Sequence, residues 1–214
     1  MRLTSLCLLA TLVASSASAA LYQKIDGTIV DPLQSVAGGD LPYAGNNLEP
    51  NANLSWADLS WADLSYADLT DANLSYANLK GADLFYAYLT DANLSDADLF
   101  DANLHHAYLT GANLSDAYLT GANLSDADLS YADLTDADLS YADLRYATFS
   151  TGTRLPDGQT VAQHGFDVAG LEAYLDVDPV SALRADNLTI VPEPTTLPLA
   201  LLALTAVPLR VRHG

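Results

Sequence analysis

The chain has 214 residues, of which 27 are acidic and only eight are lysine or arginine, so its formal net charge is −19 at pH 7. A surface this acidic repels nucleic acid and anionic lipid and attracts cations. Cys7 is the single cysteine, so disulfides, thiol nucleophiles and thiolate metal sites are excluded from the chain beyond its N-terminal segment.

The first 19 residues have the pattern of a secretory signal peptide. Arg2 precedes the apolar stretch LTSLCLLATLVA, and a run of small residues follows. Within this run, Ala17 and Ala19 mark the predicted cleavage site. The alternative, a short buried helix, does not explain the Ala-x-Ala pattern. We therefore expect the protein to be secreted.

Residues 20–51 are predicted to cap the N-terminal end of the fold. The stretch LYQKIDGTIV places two short apolar segments around Asp26 and Gly27. This combination is typical of a β-hairpin. A link rich in glycine, proline and asparagine follows it.

From residue 52 to residue 151 the chain consists of twenty consecutive five-residue units without insertion. Alanine occupies every first position, and leucine occupies every third position except the last, which is Phe149. A period of five fits neither the 3.6 residues of a helical turn nor the alternation of a flat strand. It does place each alanine and leucine on one face of a short extended segment, after which the chain bends. The pattern therefore predicts a solenoid.

The unit resembles the A-(D/N)-L-x-x repeat of the pentapeptide-repeat family, and the resemblance covers nearly half of the chain. It implies an all-β fold, a right-handed quadrilateral β-helix in which four units form one square coil. Twenty units would then form about five coils, with the alanines and leucines inside. The second and fifth positions would point outward and are expected to vary freely.

Residues 152–190 are predicted to cap the C-terminal end of the solenoid. The stretch RLPDGQTV indicates a turn and a strand. Asp167 is placed to cap a short helix that carries Val168, Leu171 and Leu175 on one face.

The last 24 residues, 191–214, resemble the PEP-CTERM sorting signal of bacterial exosortase substrates. Pro192, Glu193 and Pro194 precede an uncharged apolar run of fifteen residues, and the basic residues Arg210 and Arg212 follow it. Fifteen helical residues reach about 22 Å, which is short of the roughly 30 Å hydrocarbon core of a bilayer. The resemblance implies transient inner-membrane retention, processing by an exosortase-type enzyme, and delivery to the cell envelope, cell surface or extracellular matrix.

No catalytic constellation, cofactor site or defined metal site is predicted. The repeat serines lack a paired base, and the aspartates share one repeated environment, whereas acid–base catalysis needs two different ones.

Asp96, Asp116 and Asp136 are predicted to stack at about 4.8 Å spacing, where divalent cations would bind only loosely. His105 and His106 are adjacent in sequence, so their side chains are expected to diverge. The Asn-Leu-Ser triplets follow from the repeat itself and receive no functional weight.

One outward feature departs from the repeat. Stacking every twentieth residue gathers seven rings near the second and third coils, namely Tyr66, Phe85, Tyr86, Tyr88, His105, His106 and Tyr108. The favoured interpretation is an aromatic ladder that stabilises the stack. The alternative is a platform for a ligand with flat apolar faces, such as an extracellular polysaccharide.

Two functions agree with these patterns. The first is a structural or interaction protein outside the cell, which presents an acidic rod to another surface protein or a polysaccharide and has no nucleic-acid partner. The alternative is a rod that mimics duplex DNA and occupies a DNA-binding protein, as some pentapeptide-repeat proteins that inhibit DNA gyrase do. The signal peptide opposes the alternative, because that target lies in another compartment.

Overall fold

The computed structural model describes residues 22–23, 29–30, 48–175 and 188–192. Within the repeat, parallel bridges join residues twenty apart, such as Asn53 to Asn73 and Asn73 to Asn93. The same twenty-residue register continues to the bridge between Asp128 and Thr148. Four units therefore complete one coil, and successive coils stack in register, as the resemblance to the pentapeptide-repeat family implies.

The alanines and leucines of the repeat fill the interior of the coils. Every leucine from Leu54 to Leu134 is at most 1% exposed, and Phe149 closes the series with 0% exposure. Each such side chain contributes about 1.5–3 kcal/mol on burial, most of which is offset by the loss of chain entropy. Because this core is one leucine wide, the third position of the repeat does not tolerate a polar residue.

In the inner coils, the five backbone N–H groups of a unit whose second residue is Asp or Asn have five different acceptors. The N–H of the second residue donates to a carbonyl of the preceding coil. The N–H groups of the third and fifth residues donate to two different carbonyls of the following coil. The N–H of the next alanine closes the turn, and that of the fourth residue donates to the side chain of the second. In the unit that begins at Ala72, these distances are 2.7–3.1 Å. Five residues are therefore the length that satisfies every backbone donor.

The second and fifth positions are less free than the sequence predicts. The Oδ1 atom of a second-position Asp or Asn accepts the fourth N–H, as Asp133 does from Thr135 at 3.0 Å, which requires a short side chain with a terminal oxygen. Non-glycine residues at the fifth position, from Asn51 to Tyr146, have φ between 53° and 63°. Glycine, Asp and Asn tolerate this left-handed backbone best. Local backbone chemistry thus restricts positions that face the solvent.

Two short strands pair at the N-terminal end. Strand β1, Tyr22–Gln23, is antiparallel to β2, Ile29–Val30, with Tyr22 opposite Val30. This pairing agrees with the predicted hairpin, whose turn residues Asp26 and Gly27 lie outside the described residues.

The last coil ends in a strand that a later segment covers. Strand β3, Thr148–Ser150, pairs in parallel with β4, Thr189–Val191, and Phe149 lies opposite Ile190. The predicted boundary between the C-terminal cap and the tail therefore falls inside β4, because Val191 pairs with Ser150.

Two helices follow β3 within the described residues up to Leu175. In the predicted turn, Arg154 bridges Thr160 in antiparallel fashion. Val161, expected to belong to a strand, instead begins helix α1, Val161–His164, because Thr160 and Gln163 form a capping box at its start.

Helix α2, Val168–Leu175, is the short helix that the sequence predicts. Its cap is also as predicted, since Asp167 Oδ1 accepts the N–H of Gly170 at 2.8 Å. Leu171 and Leu175 are buried, but Val168 is 37% exposed because the first turn of the helix extends past the buried cluster. Over the described residues, no helix is long and apolar enough to cross a membrane.

Candidate functional site

The coils display a dense and regular negative charge. Between residues 52 and 151 there are sixteen aspartates and two basic residues, Lys80 and Arg145, a net charge of −14. None of these aspartates is buried. Five coils at about 4.8 Å each span roughly 24 Å, so the rod carries about one net negative charge per 1.7 Å of its axis. Duplex DNA carries charge at the same density, about one per 1.7 Å.

One corner of the coils changes from aromatic to acidic along the axis. Trp56 stacks on Tyr76 with ring centroids 4.3 Å apart and an interplanar angle of 5°. A hydrogen bond to Asp96, together with the charge of that carboxylate, raises the pKa of the Tyr76 hydroxyl. Asp116 and Asp136 continue this corner and are both exposed. We name Asp96, Asp116 and Asp136 the aspartate column.

Asparagine amides connect neighbouring coils on the flat faces, which the sequence did not predict. Asn93 Nδ2 donates to Asn73 Oδ1 at 3.4 Å. Where the lower residue is an aspartate the contact is shorter, as from Asn103 Nδ2 to Asp83 Oδ1 at 2.9 Å. An amide that follows a carboxylate by twenty residues thus offsets part of its charge. The available signal in the sequence was the recurrence of Asn or Asp at second positions twenty residues apart, as at Asp83 and Asn103.

Five of the seven rings in the predicted aromatic patch form one cluster. Tyr66, Tyr86 and His106 stack along one corner, with centroids 5.5 Å and 4.5 Å apart. Phe85 lies edge-on to Tyr86 at 4.6 Å and stacks on His105 at 5.7 Å. The rings position one another, as a stabilising ladder requires. Their role as a binding platform stays a prediction.

The other two predicted rings form a separate pair. Tyr88 stacks on Tyr108 with centroids 4.6 Å apart, and burial together with Tyr108 raises the pKa of the Tyr88 hydroxyl. Among the ring contacts of residues 48–175, none connects this pair to the cluster. Tyr86 is the left-handed third residue of a turn, whereas Tyr88 follows that turn and bridges Tyr108 on the next flat face, which explains the separation.

The histidine side chains converge, whereas the sequence predicts that they diverge. The ring centroids of His105 and His106 are 4.0 Å apart. His106 has a φ of 58°, and Ala107 N–H closes the turn on the Leu104 carbonyl at 3.0 Å. This is the geometry of a type II turn, whose left-handed third residue redirects its side chain.

A groove lies beside the acidic corner, and the sequence does not predict it. Its volume is about 340 Å³, and its lining includes Tyr76, Asp96, Phe100 and Tyr118. Lys80 Nζ lies 4.6 Å from the centroid of the Phe100 ring, a cation–π contact. The available signal was the fourth-position column, where lysine and phenylalanine replace the usual serine or threonine.

A family model for pentapeptide repeats, in eight copies, matches residues 52–85, 77–116 and 117–151. The chain is also 36% identical to a pentapeptide repeat protein from the Arabidopsis thaliana thylakoid lumen, over 44% of this chain and 70% of that one, with a TM-score of 0.37. This chain belongs to the pentapeptide-repeat family. Pentapeptide-repeat proteins fold as right-handed quadrilateral β-helices and are typically structural or interaction proteins.

Two further solved structures are similar to this pentapeptide-repeat protein. Rfr23, from the cyanobacterium Cyanothece 51142, is 36% identical over 50% of this chain and 85% of that one, with a TM-score of 0.37. Trypsin-treated QnrB1, a plasmid-mediated fluoroquinolone resistance protein, is 19% identical over 75% of this chain and 88% of that one, with a TM-score of 0.41. No curated protein matches the chain.

The predicted set of partners is wrong in two respects. It names an exosortase-type enzyme and lists no nucleic acid, whereas the similar structures include the fluoroquinolone resistance protein QnrB1. Negative charge repels nucleic acid, but it does not exclude partners whose own surfaces are built to bind negative charge.

The predicted terminal signals lie almost entirely outside the described residues. This applies to the cleavage residues Ala17 and Ala19 and to Glu193, Pro194, Arg210 and Arg212 of the tail. Pro192 is the last described residue and is exposed.

Proposed function

We propose that this pentapeptide-repeat protein occupies the DNA-binding surface of another protein by presenting its acidic rod in place of duplex DNA. The observation that carries the proposal is the charge density of the coils. The net charge of −14 over five coils corresponds to about one charge per 1.7 Å, the density of duplex DNA.

The backbone holds these charges at fixed positions. Each unit from residue 72 to residue 126 donates three backbone hydrogen bonds to neighbouring coils, and second-position carboxylates are held by the N–H of the fourth residue, as Asp138 is by Ser140 at 3.0 Å. A charge array that is ordered before binding loses little entropy when a partner docks. A disordered acidic tail of equal charge would lose more.

Binding rather than catalysis fits the chemistry of the surface. Second-position carboxylates recur with the same hydrogen bond to the fourth N–H, and the density of negative charge favours electrostatic attraction to a lysine- and arginine-rich groove. Such attraction accelerates association and weakens steeply with salt.

The experiment is competition between the full chain and duplex DNA for DNA gyrase, followed by supercoiling activity. We expect the wild-type chain to displace DNA and inhibit supercoiling at physiological salt, and we expect D96N/D116N/D136N to inhibit at least tenfold more weakly. The variant D71N/D91N/D101N is the matched control, because it removes the same charge from other corners. Polyaspartate is the control for charge without structure.

Two results would count against the proposal. Failure of the wild-type chain to displace DNA would overturn it for gyrase. Equal inhibition by polyaspartate at equal charge would show that the ordered rod adds nothing.

A second candidate function is an interaction protein outside the cytoplasm, and the signal-peptide pattern of residues 1–19 favours it. Fractionation of cells that express the full chain tests where the protein is localised. We expect the wild-type chain in the extracytoplasmic fraction, and A19K, which blocks cleavage, as a larger precursor. Wild-type protein that stays in the cytoplasm at full length would remove this candidate and favour the first.

A further inference from the structure

Three potential metal ligands meet on the outer surface of two successive coils. His105 and His106 belong to one coil, and Asp126 belongs to the next and stands twenty residues after His106. One ligand atom from each of the three lies within 4.8 Å of the other two. His105 Nδ1 is 3.8 Å from Asp126 Oδ2.

The fold holds each imidazole in place. Before an ion binds, His105 Nδ1 lies 2.8 Å from both the carbonyl oxygen and the Oγ of Ser125; coordination through Nδ1 would release its hydrogen bond to that carbonyl. The His106 ring stacks on Tyr86 with centroids 4.5 Å apart, and the backbone N–H of His106 donates to the Ser125 carbonyl at 3.1 Å. Both rings are thus positioned before any ion arrives, which reduces the entropy lost on binding.

The donor set selects a class of metal. Two imidazole nitrogens and one carboxylate suit zinc, copper or nickel, whereas calcium prefers six to eight oxygens. Zinc bonds of about 2.0–2.1 Å require only a small inward movement of ligand atoms already within 4.8 Å. The side chains of His105 and Asp126 are 31% and 38% exposed, so an ion has access and water can occupy a fourth position.

We propose that His105, His106 and Asp126 form a binding site for one divalent transition-metal ion of the zinc class. The ion would join two coils by bonds that the unfolded chain cannot make. Metal binding would therefore raise the thermal stability of the folded rod. The dense negative charge around the site raises the local concentration of cations but does not itself distinguish zinc from calcium.

The test is a calorimetric titration of the metal-free full chain with Zn²⁺, repeated in the presence of a hundredfold excess of Ca²⁺. We expect one strong site that calcium does not displace, together with a higher Tm. Co²⁺ should give a visible absorption band of the intensity typical of four-coordination. Circular dichroism confirms that each variant is folded.

Three variants preserve the backbone while removing one ligand each. H105S introduces serine, the residue found at positions 65 and 125 of the same column. H106N introduces asparagine, which adopts a positive φ with little strain. D126N keeps the shape of the side chain. Each should weaken Zn²⁺ binding at least tenfold and abolish the Tm increase. H164A, which changes a histidine in the C-terminal cap, should bind as the wild type does. Unchanged affinity in folded H106N and D126N, or equal displacement by calcium, would overturn the proposal.

Discussion

At the residue scale, the second position of each unit decides whether the backbone N–H of the fourth residue has a side-chain acceptor. An Asp or Asn there accepts the fourth N–H through Oδ1, as at Asn123 and Ser125, 3.1 Å apart. Tyrosine occupies this position at Tyr88, Tyr108 and Tyr118, and its phenol oxygen is too distant to serve its own turn. These three units are exceptions to the backbone chemistry of the repeat.

Replacing Tyr118 by asparagine should therefore stabilise the protein. Tyr118 is 59% exposed, so little packing is lost, and Y118N supplies the acceptor for the Thr120 N–H. We expect a gain of about 0.5–1.5 kcal/mol in the free energy of unfolding, measured by urea denaturation. Y118A is the control, since it removes the ring without adding an acceptor. If Y118A were as stable as Y118N, the side-chain acceptor would contribute nothing.

Asp138 should contribute a pH-dependent share of stability. Hydrogen bonds from the Ser140 side chain and backbone, and from Thr120, lower the pKa of its carboxyl. A carboxyl whose pKa is lower in the folded than in the unfolded protein stabilises the fold at pH values above the unfolded pKa of about 3.9. This contribution is lost as the pH falls through the pKa of the folded state. D138N keeps the Oδ1 acceptor but does not titrate, so the Tm difference between wild type and D138N should shrink below about pH 4. A constant difference from about pH 6 to pH 2.5 would contradict this assignment.

At the element scale, the last coil depends on a strand contributed from forty residues further along the chain. Thr189 N–H donates to the Ala147 carbonyl at 3.0 Å, and Thr151 N–H donates to the Val191 carbonyl at 3.2 Å. Ile190 packs against the core next to Phe149. Strand β4 thus covers the edge that a solenoid would otherwise leave open to pairing with another chain.

Proline at position 189 should expose this edge. T189P removes the donor to Ala147, whereas T189A keeps it and serves as the control. We expect T189P to lose about 1–2 kcal/mol in the free energy of unfolding and to self-associate, as measured by denaturation and light scattering. A monomeric T189P as stable as T189A would show that β4 does not protect the coil.

At the scale of the whole molecule, the rod combines a nearly dry apolar core with strong surface repulsion. Its net charge of −14 over the repeat favours solubility but opposes compaction. The asparagine amides on the flat faces offset part of this repulsion, whereas Asp116 and Asp136 are exposed on a corner. Stability should therefore depend on ionic strength.

Raising NaCl from about 0.05 M to 0.5 M should increase the Tm, because the Debye length falls below the spacing of the coils. The variant D96N/D116N/D136N should have a higher Tm at low salt and a smaller salt dependence. D71N/D91N/D101N is the control with equal charge. A Tm that falls as salt rises would show that attractive ion pairs dominate over repulsion.

The period and the core of this protein could be predicted from its residues. Ala and Leu recur every five residues, which favours a solenoid, whereas the four-sided coil was implied by the resemblance to the pentapeptide-repeat family. The short helix capped by Asp167 was also readable, because its signal is local. Which outward residues meet depends on tertiary packing. The three metal-ligand candidates converge through a positive φ at His106 and through the stacking of two coils. Strand β4 pairs with β3 although the two segments are distant in sequence. The aspartates, which the sequence presents as equivalent outward residues, differ in exposure and hydrogen bonding because the residues twenty positions away differ.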